Sequence, residues 1–254
     1  MRVLVTRPEP GGQRTAERLA GLGHEPVRMP LFETVVTATI DDLPPVDGIG
    51  GLIATSARAF AMFAKAGVSD SGLGDVPVHA VGAATAQAAR EAGFVHVDDG
   101  GGTAEALSEA LIRLRQQDST GGEASGPGGR TGALVYLAGV PRTPVIETAL
   151  EAHEPGLRVI DCYRMAEISY STDILKTDFL SPPPDVVLLY SANAARRFSA
   201  LLDAENLAGC LDSTRFLCLS PAIASQLRKT WQDRSVVAGR PDEDSLLASL
   251  AALG

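Results

Sequence analysis

The stretch RVLVTRPEPGGQRTAERLAGLG, residues 2–23, has a counterpart in GALVYLAGVPRTPVIETALEAH, residues 132–153. Each opens on a short apolar run, turns through prolines and continues with helical spacing, which is one strand followed by one helix. Other runs match in the same way. Leu52-Ile53-Ala54-Thr55-Ser56-Ala57 pairs with Val187-Leu188-Leu189-Tyr190-Ser191-Ala192, and Ala80-Val81-Gly82-Ala83 with Cys218-Leu219-Ser220-Pro221. Val95-His96-Val97 and Val236-Val237-Ala238 precede helices carrying Leu107 and Leu111, and Leu247 and Leu250. The chain is therefore an internal repeat. One opening strand-helix unit stands at residue 2 and the other at residue 132, after the first set of three units.

Two arrangements satisfy that order: plain tandem domains split near residue 132, or a first unit that belongs with the last three while the middle is inserted. The second is preferred. It gives a discontinuous domain of residues 1–33 and 168–254, an inserted domain of residues 38–161, and crossings at 34–37 and 162–167. Both crossings, in Phe32-Glu33-Thr34-Val35-Val36 and Cys162-Tyr163-Arg164-Met165-Ala166-Glu167, are extended and β-prone.

Strands are expected at Val3–Val5, Leu52–Ala54, Val78–Val81, Val95–Val97, Leu134–Leu137, Val186–Leu189, Phe216–Leu219 and Val236–Ala238. Ala195, Phe198, Leu201 and Leu202 mark one buried helix face, and Ile223, Leu227 and Trp231, four apart, another. Gly23, Gly67 and Gly93 are placed to end helices that begin near Gln13, Ala57 and Thr85. Strand alternating with helix implies α/β architecture with parallel sheets covered on both faces. Gln117 to Arg130, rich in Gly and Ser, reads as a surface loop.

Bulk properties narrow the function. The 254 residues, 45% hydrophobic and 21% charged, suit one large or two small globular domains. No apolar run approaches the roughly 20 residues that cross a bilayer. The opening MRVLVTRPEPGG lacks a signal-peptide core, so a cytoplasmic protein is expected. Cys162, Cys210 and Cys218 form no CxxC pair and read as small core residues, and the four histidines lie far apart. No metal site and no cofactor is expected. A net charge of -9 without a Lys/Arg cluster argues against a nucleic-acid partner.

In doubly wound sheets, ligands sit at the carboxyl ends of the strands, where helix N-termini attract anions. That rule selects Thr6 and Arg7, Thr55, Ser56 and Arg58, Gly82 and Thr85, Ser191 and Asn193, and Ser220. The plain alternative for each hydroxyl is helix capping. Five such turns in one chain suit a ligand with several carboxylates, which an acidic protein can hold through helix ends. Arg7 and Arg58 are candidates to pair with such carboxylates, and Arg7 equally to brace its own turn.

LVTRP at the start, TSARA, AVGAATAQAAREAG, CYRMAE and YSANAARRF, in this order, resemble the uroporphyrinogen-III synthase family along essentially the whole chain. The resemblance implies two similar flavodoxin-like domains, one inserted in the other, joined by a two-stranded linker, with hydroxymethylbilane bound in the cleft. That substrate carries eight carboxylates. The family reaction expels the substrate's hydroxyl as water, and ring D attacks through its substituted carbon. A spiro intermediate then fragments and recloses with ring D inverted. By resemblance Tyr163 is the catalytic group, assisting the departing hydroxyl by hydrogen bonding, and Thr85 is second. Ser220 stands where the family usually has Gly, Ile223 where Thr is common, and Tyr190 where a small hydroxyl residue is usual. These departures bear on carboxylate contacts from that half.

The reading carries further expectations: a monomer, a small-molecule tetrapyrrole partner, a transient contact with the preceding pathway enzyme, and no membrane partner. The competing reading is a non-catalytic two-domain α/β protein that binds a small anionic ligand. An FMN protein would need a Ser/Thr/Gly-rich loop after the first strand, where Pro8 and Pro10 instead remove two N–H donors.

Overall fold

The computed structural model describes residues 1–64, 67–118, 132–154 and 156–253. In chain order the strands are β1 (Arg2–Val5), β2 (Glu25–Arg28), β3 (Phe32–Val36), β4 (Ile49–Ala54), β5 (Val78–Ala80) and β6 (Val97–Asp99). They continue as β7 (Ala133–Val140), β8 (Arg158–Glu167), β9 (Val186–Leu189), β10 (Arg215–Cys218) and β11 (Ser235–Val237). The α-helices are α1 (Gly11–Gly21), α2 (Ala83–Ala92), α3 (Ala104–Asp118), α4 (Val145–Leu150) and the short α5 (Thr172–Ile174). After them come α6 (Ala192–Ala204), α7 (Pro221–Ala224), α8 (Lys229–Gln232) and α9 (Glu243–Ala251). Of the surface loop expected over 117–130, residues 119–130 lie outside the described residues.

The chain divides into two compact units, Met1–Glu33 with Ala166–Gly254, and Thr34–Met165. The first contains a five-stranded sheet in the order β11-β10-β9-β1-β2, every pairing of which is parallel. Counted within the unit this is the flavodoxin-like order 2-1-3-4-5. The second contains a six-stranded sheet in the order β3-β8-β7-β4-β5-β6, with β8, β7, β4, β5 and β6 parallel. Without β3 it has the same spatial order, but the strand-helix-strand piece β7-α4-β8 comes last in the chain where β1-α1-β2 comes first. The displaced repeat of the sequence is thus a permuted copy of one topology.

The core follows from period-two alternation in strands covered on both faces. In the first unit Leu4, Val187, Leu189, Phe216 and Cys218 enter one hydrophobic cluster, while Val3, Val5, Val186, Leu188 and Leu217 enter the cluster on the opposite face. In the second, Leu52, Ala54, Val135 and Leu137 face one cluster, and Ile53, Leu134, Tyr136 and Ala138 the other. This is why these strands read as unbroken apolar runs.

The segments expected as linkers lie along β3 and β8, which are neighbours in the six-stranded sheet. Ile168 N–H donates to Leu31 C=O at 3.0 Å and Thr37 N–H to Cys162 C=O at 2.9 Å. Partner numbers fall as they rise, so the two stretches run in opposite directions.

Three local expectations are corrected. Ala57–Phe63 is a 3₁₀ helix that ends before Gly67, so Gly67 does not cap it, whereas Gly93 caps α2 at φ +107°. Ile223, Leu227 and Trp231 are all buried, but they do not share one helix. Arg228, at ψ 148°, starts α8 afresh after α7 has ended, and its N–H donates to Ser199 Oγ at 3.3 Å. Finally, Cys210 is exposed while Cys162 and Cys218 are buried. Burial pushes both buried thiols up to about 12, which keeps them protonated near neutral pH.

Candidate active site

Strand register sets Tyr163, Ser56 and Gly82 in one row in the second unit and Ser191 and Ser220 in one row in the first. In the second unit Ala54 lies beside Leu137 and beside Ala80, and Gly139 lies beside Tyr163. Ser56, Gly139 and Gly82 each follow their aligned residue by two positions. The row at the carboxyl end of this sheet therefore reads Tyr163, Gly139, Ser56, Gly82 across β8, β7, β4 and β5.

Ser56 caps the 3₁₀ helix, its Oγ accepting from Arg58 N–H at 3.3 Å. The Arg58 side chain is exposed and makes no ion pair with a described residue. Thr55 Oγ1 and Tyr136 Oη are 3.1 Å apart. Burial raises the Tyr136 pKa, an effect that this hydrogen bond partly offsets. Thr85 is 5% exposed and belongs to the buried face of α2. Tyr163 is half-buried and packs against the cluster of Leu52, Val135 and Cys162. Its hydroxyl forms no hydrogen bond among the described residues.

Gly82 shows why a glycine starts α2. It sits at φ +79° and ψ 156°, a region almost closed to residues with a Cβ, although no atom stands within 4 Å of where that Cβ would be. Gly82→Ala is therefore expected to cost about 1–3 kcal/mol of stability through backbone strain. Its repeat partner Ser220 is extended at φ -154°, so Ser220→Gly should cost less than about 1 kcal/mol. Urea unfolding of the two variants checks this; equal losses would contradict it. The Gly-to-Ser departure thus accompanies a different backbone at the start of α7. Ile223, the partner of Thr85, is 6% exposed in the apolar core.

In the first unit, Cys218 lies beside Leu189, and Ser220 and Ser191 again follow by two. Ser191 Oγ caps α6 by accepting from Ala194 N–H at 3.1 Å. The side chain of Asn193 is exposed, with its Oδ1 accepting from Arg196. Ser220 makes no side-chain capping bond. Thr6 is fully buried, and its hydroxyl donates to Leu188 C=O at 2.7 Å. That hydroxyl ties β1 to β9.

Arg7 is also engaged. Its guanidinium lies 4.6 Å from the centre of the Tyr190 ring and 3.1 Å from Glu243 Oε1. Glu243 further accepts from Thr15, from Tyr190 Oη at 3.2 Å and from Arg18 at 3.1 Å. These contacts brace the loop of Arg7 against Tyr190 and against Glu243 on α9. Burial pushes Tyr190 up to about 12, so its hydroxyl is protonated and donates. Nothing in the sequence singled out Glu243, since an acidic residue in the first turn of a helix is ordinary.

Burial alone would raise the Glu243 pKa, but Thr15, Arg7, Tyr190 and Arg18 together hold it below the usual carboxylate value. The unfolded chain therefore binds this proton more tightly than the folded one. The resulting stabilisation is complete above the unfolded pKa of about 4.3 and is lost as pH falls through the folded value. Glu243→Gln should cost about 1–2 kcal/mol at neutral pH, and its deficit relative to wild type should shrink in acid. Denaturant unfolding across that range measures it; a deficit that stays constant or grows in acid would contradict the brace.

The solved structures that resemble this chain include a uroporphyrinogen-III synthetase from Helicobacter pylori, 16% identical, with both chains covered completely and a TM-score of 0.64. A mutant uroporphyrinogen III synthase from Thermus thermophilus is 18% identical, with 99% of this chain and 98% of that one covered and a TM-score of 0.49. The first of these likenesses supports the fold. Among curated proteins compared by sequence, none matches. The match to the HEM4 family, described as uroporphyrinogen-III synthase HemD, runs over residues 13–248. Since that span covers most of the chain and includes Ser56, Gly82, Tyr163, Ser191 and Ser220, this chain belongs to the uroporphyrinogen-III synthase family.

Proposed function

We propose that the protein is a cyclising hydro-lyase that converts hydroxymethylbilane to uroporphyrinogen III and water, acting as a cytoplasmic monomer. The observation that carries this reading, within the family assignment, is the Tyr163 hydroxyl. It has no hydrogen-bond partner among the described residues and stands in the same strand-end row as Ser56 and the N-terminus of α2.

The chemistry asks for a donor and for positioning. The bond between the hydroxymethyl carbon and its oxygen breaks, electrons from the adjacent pyrrole nitrogen filling the carbon's need, and the hydroxyl takes a proton from solvent to leave as water. A tyrosine O–H that hydrogen-bonds to the departing oxygen lowers that barrier without giving up its proton. The substituted carbon of ring D then attacks the cationic carbon. The spiro species fragments and recloses, and a final proton loss restores the pyrrole. Holding the chain folded for attack at the crowded carbon is the larger task.

Carboxylates of the substrate suit the first turns of α2 and α6, where N–H groups without helical partners and the positive end of the dipole converge. Arg58, free of ion pairs among the described residues, is better placed to meet a carboxylate than Arg7, which Glu243 already occupies. The test follows hydroxymethylbilane consumption with and without protein. Acceleration proportional to protein concentration is expected. Consumption at the spontaneous rate, with the substrate merely bound, would favour the non-catalytic alternative.

A further inference from the structure

We infer that Gly139 is a positioning residue for Tyr163: its missing side chain is the space in which the tyrosine ring lies. This rests on the proposed role of the Tyr163 hydroxyl. A Cβ built on Gly139 would stand 2.3 Å from Tyr163 Cζ, 2.5 Å from Oη and 2.7 Å from Cε2, so the tyrosine ring would have to move aside. Space, not backbone freedom, is what this position needs, because Gly139 is absent from the glycines with positive φ.

The register explains how the ring arrives there. Between β7 and β8, Ala138 is opposite Asp161 but Gly139 is opposite Tyr163, so Cys162 is an extra residue in β8. Such a bulge re-aims the side chain that follows it. Cys162 and Tyr163, consecutive in sequence, consequently both pack against the same hydrophobic cluster, where strict alternation would have sent them to opposite faces.

The position is also clamped from the loop side. Arg142 donates to Gly139 C=O at 3.3 Å, to Asp161 at 2.7 Å and to Glu147 at 2.6 Å. One guanidinium thus joins the end of β7, the bulge region of β8 and α4. The ring of Tyr163 is set by a hole in one strand and an insertion in its neighbour.

The test compares wild type, Gly139→Ala, Tyr163→Phe and the double variant by kcat and KM for isomer III formation, with thermal unfolding alongside. Gly139→Ala should lower kcat roughly 10²-fold, the cost of misplacing a catalytic group by about 1 Å, with KM changed by less than about 3-fold. In the Tyr163→Phe background the same substitution should cost less than about 3-fold, because no hydroxyl remains to misplace. Wild-type kcat in Gly139→Ala, or an equal loss in both backgrounds, overturns the inference. Wild-type kcat in Tyr163→Phe overturns instead the role of the tyrosine on which it rests. If Gly139→Ala is unfolded, Gly139→Ala/Tyr163→Ala should fold, since the ring that meets the new Cβ is gone. Equal unfolding of that double variant overturns the pairing.

Discussion

Tyr163→Phe is expected to lower the rate of isomer III formation by about 10²-fold or more while leaving folding stability within about 1 kcal/mol of wild type. The two halves of that expectation have separate causes. A hydroxyl that hydrogen-bonds to a departing group on which charge develops contributes on the order of 10²–10³ in rate. The same hydroxyl bonds to no described residue, so its removal leaves no buried partner unsatisfied, which is the usual source of large stability losses in such substitutions. The ring that packs beside Gly139 and Cys162 remains. Turnover with product chromatography, together with urea unfolding, checks both halves. An active variant would make the tyrosine a packing residue, and a badly destabilised one would mean that its hydroxyl has a structural partner.

The second large effect concerns stability. Trp231→Ala is expected to destabilise the first unit by about 3–5 kcal/mol. The indole is 1% exposed, stacks on Phe216 with centroids 4.9 Å apart and lies 5.6 Å from the Phe198 ring. Arg228 covers it at 5.3 Å. Those rings join the sheet face at β10 to α6 and α8, so alanine leaves a cavity between packed elements. Denaturant unfolding followed by the fluorescence of residual tyrosines measures the loss; a change below about 1 kcal/mol would contradict this account of the core.

Much of the fold was legible because the central strands are buried on both faces. Val3–Val5, Leu52–Ala54, Leu134–Leu137, Val186–Leu189 and Phe216–Cys218 are near-continuous apolar runs for that reason. Edge strands carry no such signal. Glu25–Arg28 includes Pro26, which an edge tolerates, and Val97–Asp99 places two exposed aspartates in β6 two residues beyond the apolar run that suggested it. Register was harder still. Leu4 lies beside Val187 and Val135 beside Leu52, so Val135 is the structural partner of Leu4, one position away from the match that the letters LV suggest. A one-residue slip exchanges the two faces of a strand.

The candidate site was readable to the same depth. The hydroxyls at Ser56 and Ser191 stand where the repeat placed them, each capping a helix with φ -152°. Their environment was not readable. That Thr6 is consumed by Leu188, that Arg7 is held by Glu243, and that Tyr163 lies over Gly139 depend on side chains brought together from distant positions and on one inserted residue in β8. Local pattern carries none of that information, because the bulge is a property of two strands paired.

The product isomer ratio bears most directly on the proposed function. Freshly generated hydroxymethylbilane, given to rising concentrations of the purified chain, should yield isomer III in a share that climbs towards the whole product as catalysis outpaces spontaneous closure. Isomer I alone, formed at a rate independent of the protein, would contradict it.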